Sequence, residues 1–142
     1  MKRVTVSERK TIVERAHGLC EYCLSPMNVS PDPFCVEHVV PRSHGGGNEL
    51  DNLALSCQGC NSSKYNKIAA EDSLTEASVS LYHPRAHNWN DHFAWSSDLT
   101  QIVGLTATGR ATIETLQLNR PNVVNLRLLL LIAGKHPATI AR

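Results

Sequence analysis

No run of apolar residues in this chain is long enough to cross a bilayer. The most apolar stretch, Leu128-Leu129-Leu130-Leu131-Ile132, is confined by Arg127 and Lys135, far short of the roughly 20 residues a spanning helix needs. An N-terminal apolar segment is also missing, because Met1 to Arg15 is polar and charged; this predicts no signal peptide, no membrane partner and a cytoplasmic location. Internal repeats, low-complexity tracts and long linkers are absent. So is any large excess of charge: Lys and Arg number 14 against 13 Asp and Glu, a net +1. The chain is therefore not a strongly basic polyanion binder, and any affinity for phosphate must come from local clusters or a bound cation.

What is present is cysteine in a pattern. Cys20/Cys23 and Cys57/Cys60 are two Cys-x-x-Cys pairs, and Asn61 directly follows the second. Two such pairs can place four thiolates in a tetrahedron around one zinc ion, closing a structural site that joins distant parts of the chain. In a reducing compartment, paired cysteines favour metal over disulfide. Cys35 remains as a fifth thiol, expected to be a small buried residue in or beside a strand. Four thiolates and one divalent ion would move the formal charge from +1 to −1.

The length of 142 residues suits one core plus a metal staple. Local signals predict a helix from Ser7, as N-cap, through His17, with Gly18 beyond its end. Cys20 to Cys23 should form a tight knuckle and Ser25 to Pro33 a loop. Cys35 to Val40 reads as a strand ending at Pro41, Ser43 to Asn48 as a glycine turn, and Leu53 to Leu55 as the second strand of a hairpin. A helix should follow from about Gly59 to Ala70. Further along, Ser78–Tyr82, Phe93–Trp95 and Gln101–Val103 are strand candidates. Thr108 could cap a helix from Gly109 to Leu118, and Pro121 suits the first turn of a last helix running to Ala133. That leucine-rich helix either caps the core or offers a face for a homodimer.

Taken together, Cys20-x-x-Cys23, Glu37-His38-x-x-Pro41, Gly45-Gly46, Asn52-Leu53, Cys57-x-x-Cys60-Asn61 and Lys64 resemble the HNH endonuclease family in its zinc-stapled, four-cysteine, free-standing bacterial form. The resemblance implies an α+β fold with a ββα-metal (His-Me finger) core in residues 1–70, and a C-terminal helical extension, residues 71–142, packed on it. It implies hydrolysis of phosphodiester bonds in DNA, with nothing in the residues to separate DNA from RNA beyond family habit. His38 would be the general base, since histidine titrates near neutrality. Glu37 and Asn61 would ligate a catalytic Mg²⁺ or Mn²⁺, as oxygen donors suit hard cations. Asn52 would tie the glycine turn, and Arg42 and Lys64 would contact phosphate.

Two positions depart from the family name: Asn61 replaces the final His, and Glu37 stands where Asp is frequent. Neighbouring strand residues also point to opposite faces, so Glu37 and His38 share a site only if the strand is irregular or the ligand approaches its edge. Some free-standing bacterial members continue with segments matched here by Pro84-Arg85, Trp89, His92-Phe93 and Gly109-Arg110-Ala111-Thr112. Arg85 and Arg110 are read as structural, pairing with acids such as Glu114. Trp89, Phe93 and Trp95 are read as packing residues, and His83, His87 and His92 as no second metal site. The competing function is a non-catalytic zinc-stabilised module that binds nucleic acid.

Overall fold

A computed structural model describes residues 4–138. Helix α1 (Val6–Arg15) starts from Thr5 rather than Ser7. The Thr5 hydroxyl accepts from the Glu8 amide at 3.0 Å, and the Glu8 carboxylate accepts from the Thr5 amide at 3.0 Å. Glu8 stands three residues after Thr5 and can return the bond, whereas Lys10 in the same relation to Ser7 offers no acceptor. Beyond α1, His17 and Gly18 take left-handed φ values of 55° and 68°, turning the chain into the first cysteine pair.

Strands β1 (Cys35–His38) and β2 (Leu53–Ser56) form an antiparallel pair with Cys35 opposite Ser56 and His38 opposite Leu53. The Val39 amide donates to the Asn52 carbonyl at 2.9 Å. In this register Leu53 and Leu55 direct their backbone groups to the outer edge of β2. That edge is filled: Arg15 donates to the Leu53 carbonyl, the Glu21 amide donates to the Leu55 carbonyl at 2.9 Å, and the Leu55 amide donates to the Glu21 carboxylate at 2.8 Å. Without those groups a buried strand would carry unpaired polar atoms. Leu53 and Leu55 have no exposed surface, and burying each contributes roughly 1.5–3 kcal/mol.

Helix α2 (Gln58–Lys64) follows β2 at once, with the Cys57 sulfur accepting from the Cys60 amide at 3.4 Å as its cap. It stops at Lys64, not Ala70. Tyr65 takes a φ of 51°, and Ala69 already pairs as part of β3 (Ala69–Glu71) with β4 (Ser78–Ser80). A short helix α3 (Trp89–His92) leads into β5 (Phe93–Trp95), which pairs with β6 (Ile102–Gly104).

Helix α4 (Ala107–Leu116) is capped by Thr106, whose hydroxyl accepts from Gly109 at 3.0 Å. Thr108 lies inside the helix, its carbonyl taken by the Thr112 hydroxyl at 2.7 Å. Helix α5 (Pro121–Ile132) buries Val123, Arg127 and Leu130 and exposes Leu128, Leu129 and Ile132. Among the described residues no helix is long and apolar enough to cross a membrane.

The molecule is thus a mixture of helices and two-stranded antiparallel sheets. One apolar cluster joins Ile12, Tyr22, Leu53 and Leu55 to Tyr82, Trp89, Phe93 and Leu116. Helix α4 lies against α2, β3 and β6, which sets it beside the helix that carries Asn61 and Lys64.

Candidate metal and catalytic site

The sulfur atoms of Cys20, Cys23, Cys57 and Cys60 lie within 4.8 Å of one another, and all four residues are buried. Cys23 and Cys57 sulfurs are 3.7 Å apart. Zinc–thiolate bonds of about 2.3 Å in a tetrahedron require sulfurs about 3.8 Å apart, so this donor set fits zinc. The first pair is shaped by a left-handed turn at Leu24, φ 61°, and closed by a bridge between Leu19 and Pro26. Hydrogen bonds from Cys20, Cys23 and Cys60 pull the Cys57 thiol far down, while burial pushes Cys20 well up. Four sulfurs in contact cannot all ionise unless a cation shares the space.

The glycine segment Gly45–Gly47 wraps around the end of β1. Only Gly45 of the three takes a positive φ, 86°. Gly46 is needed for room, because a Cβ there would run into the Val40 carbonyl. Asn52 closes the turn from below: its Oδ1 accepts from the Val40 amide at 2.9 Å, and its Nδ2 donates to the carbonyls of Val40 at 3.0 Å and Gly47 at 2.9 Å. His38 is half-buried at the end of β1, with Nε2 2.6 Å from Asn48 Oδ1. Asn48 was not singled out by sequence, where it is one more polar residue after glycines.

Glu37 leaves the strand on the other face. It is buried, with one oxygen accepting from the Tyr22 hydroxyl and the other 3.2 Å from the Lys64 ammonium. Burial pushes its carboxyl up, and Lys64 and Tyr22 bring it only part of the way back. Burial and the Glu37 charge drive the Tyr22 phenol well up, so the phenol keeps its proton and donates. Lys64 also donates to the Val39 carbonyl at 2.8 Å and is 1% exposed. Such a lysine cannot meet a phosphate from solvent, contrary to its reading as a surface contact. Asn61, one turn earlier on α2, directs Nδ2 to the Cys35 sulfur at 3.7 Å.

The structure therefore gathers Glu37, Lys64, Tyr22, Asn61 and Cys35 on one side of the hairpin and His38 with Asn48 on the other. With both Glu37 oxygens occupied, Glu37 and Asn61 as arranged do not present an open cation site. Arg42 is exposed next to the glycine turn.

In the second half, Arg85 pairs with Glu21 and Arg110 with Asp72 at 2.9 and 3.1 Å; Glu114 instead accepts from Ser73 at 2.6 Å. Trp89 and Phe93 are buried, and the Trp89 indole donates to the Tyr22 carbonyl at 3.0 Å. Nδ1 of His83 and of His87 accepts backbone amides. The four cysteines are the one metal-competent cluster among the described residues.

Comparison with curated proteins and with solved structures gives no match. A family model described as HNH endonuclease matches residues 20–67, the span from the first cysteine to just beyond α2. Residues 20–67 thus match the HNH endonuclease family model, and the four cysteines that could hold a metal ion, Cys20, Cys23, Cys57 and Cys60, all fall within that segment.

Proposed function

We propose that this chain is a metal-dependent HNH endonuclease that hydrolyses phosphodiester bonds in DNA in the cytoplasm, with His38 as general base. The observation that carries the reading is the setting of His38, half-exposed with Nε2 held 2.6 Å from Asn48 Oδ1. With the amide oxygen accepting, the ring proton sits on Nε2 and the lone pair on Nδ1. A lone pair held in place can take a proton from water attacking phosphorus. The hairpin and α2, stapled by zinc, serve as the ββα-metal core, and residues 71–142 as the packed extension. Asn52 supports the turn, and Arg42, exposed next to the glycine turn, contacts the substrate phosphate.

Mg²⁺ or Mn²⁺ is the expected catalytic cation on Glu37 and Asn61, yet Glu37 would first have to release Lys64 or Tyr22. RNA is the alternative polymer. A homodimer through Leu128, Leu129 and Ile132 would supply two sites for paired cuts. The test is plasmid nicking with Mg²⁺ or Mn²⁺, comparing wild type with His38→Ala at equal zinc content. Nicking by wild type alone supports the proposal, and equal nicking by both removes His38 from the chemistry.

The buried Glu37–Lys64 pair favours one second reading, a non-catalytic zinc module that binds nucleic acid. DNA binding with no cleavage by wild type under either cation would select it.

A further inference from the structure

We propose that Arg120 is an outer-sphere partner of the zinc site, so that metal occupancy and docking of the C-terminal half form one cooperative event. This rests on the zinc reading of the four cysteines and is independent of nuclease activity. Arg120 is the N-cap residue of α5, well beyond the 20–67 segment. Its guanidinium directs Nη2 at the Cys57 sulfur, 3.4 Å away, and Nη1 at the Cys60 sulfur, 3.6 Å away. Nη1 also donates to the carbonyls of Gln117 at 3.0 Å and Leu116 at 3.4 Å. Those carbonyls end α4, where unpaired oxygens carry partial negative charge. One planar cation thus bridges the metal site and the junction of α4 and α5.

Charge supplies the driving force. Four thiolates around one divalent ion leave a net charge of minus two in a buried place, which is costly without a partner. Among the described residues, Arg120 is the cation hydrogen-bonded to these sulfurs. Arg127, also buried, directs Nη1 to the Thr100 carbonyl and Asn119 Oδ1 and Nη2 to the Leu118 carbonyl, away from the sulfurs. The planar fork of Arg120 directs a separate nitrogen to each of the two sulfurs, a geometry that the single ammonium nitrogen of a lysine does not reproduce.

The cysteine loop is shaped for this approach. At Gly59, between the two sulfurs in sequence, a Cβ would stand 2.5 Å from Arg120 Nη2 and 2.8 Å from Cζ. Gly59 has no left-handed φ, and a side chain there would take the space of the guanidinium and press it away from the sulfurs.

The experiment follows zinc release from the loaded 142-residue chain to the chromogenic chelator 4-(2-pyridylazo)resorcinol. Loss of such an outer-sphere partner lowers metal affinity about 10–100-fold. Arg120→Gln should release zinc at least about tenfold faster, Gly59→Ala should do nearly the same by displacing the fork, and Arg120→Lys should fall between. Wild-type release rates from both Arg120→Gln and Gly59→Ala would overturn the proposal. A second measurement needs no variant: hydrogen exchange of the wild-type chain before and after zinc removal. Joint loss of protection in α4, α5 and β2 supports the coupling, whereas protection retained in α4 and α5 of the stripped protein overturns it. Neither readout involves DNA cleavage, so failure of the nuclease reading would leave both results interpretable.

Discussion

His38 Nε2 and Asn48 Oδ1 lie 2.6 Å apart across the mouth of the glycine turn. This contact joins the expected base to a loop whose shape is set by Asn52. If it fixes the ring, Asn48→Ala should lower the nicking rate about tenfold, less than the loss of about 100-fold or more expected of His38→Ala, because general-base catalysis contributes about 10²–10⁴. Zinc content should not change. Single-turnover nicking would measure this, and an undiminished Asn48→Ala rate would show that the contact is incidental.

Lys64→Met should act on stability rather than on substrate binding. It leaves the buried Glu37 carboxylate without its cation, a loss of about 3–5 kcal/mol. Glu37→Gln combined with Lys64→Met should recover part of that, since no charge then remains buried. Urea unfolding gives the stability, and a salt titration of DNA binding should show an unchanged slope. A shallower slope would return Lys64 to the phosphate contacts.

Acid stability should depend on Asp72. Hydrogen bonds from Arg110 and Thr75 hold its carboxyl well below the usual range. A carboxyl depressed in the folded state contributes stability that is complete above its unfolded value, about 3.9, and is lost as pH falls toward the folded value. Urea midpoints of the wild type should therefore drop steeply below about pH 4, while Asp72→Asn should start lower and change less. Parallel curves for the two proteins would contradict this assignment.

The glycine turn should tolerate little change. Asn52→Ala removes three hydrogen bonds to Val40 and Gly47 and should cost about 1–3 kcal/mol. Gly46→Ala should cost about as much by forcing the Val40 carbonyl aside. Both should reduce nicking more than they reduce zinc content, and thermal melts alongside zinc assays would separate the two effects.

Cys57→Ser should release zinc and lower the melting temperature by many degrees, because metal binding in a small domain is folding free energy. A melt unchanged by the substitution and by chelation of the wild type would argue against a structural ion.

Elements set by short-range chemistry were readable from the chain. Pro121 at the first turn of α5, the apolar run after Asn52 and the paired cysteines each act through near neighbours. Helix ends were less readable. Thr5 displaced Ser7 through a reciprocal bond with Glu8, and α2 stopped at Lys64 where strand pairing at Ala69 competed with helix propensity. At the site, the glycine run and Asn52 mark a turn, but no local pattern distinguishes Asn48 as the residue that meets His38.

The sequence by itself determined which four cysteines can gather around a metal ion and where the hairpin and its turn lie, because ligand type, spacing and turn preference are properties of a few adjacent residues. Only the tertiary structure decided that Lys64 turns inward to Glu37, that Arg85 and Arg110 pair with Glu21 and Asp72, and that Arg120 reaches the sulfurs of Cys57 and Cys60. A long charged side chain has many possible partners. Which one it takes depends on what the fold brings within bonding distance and on how much water is removed there, and both are set by residues far away in the chain.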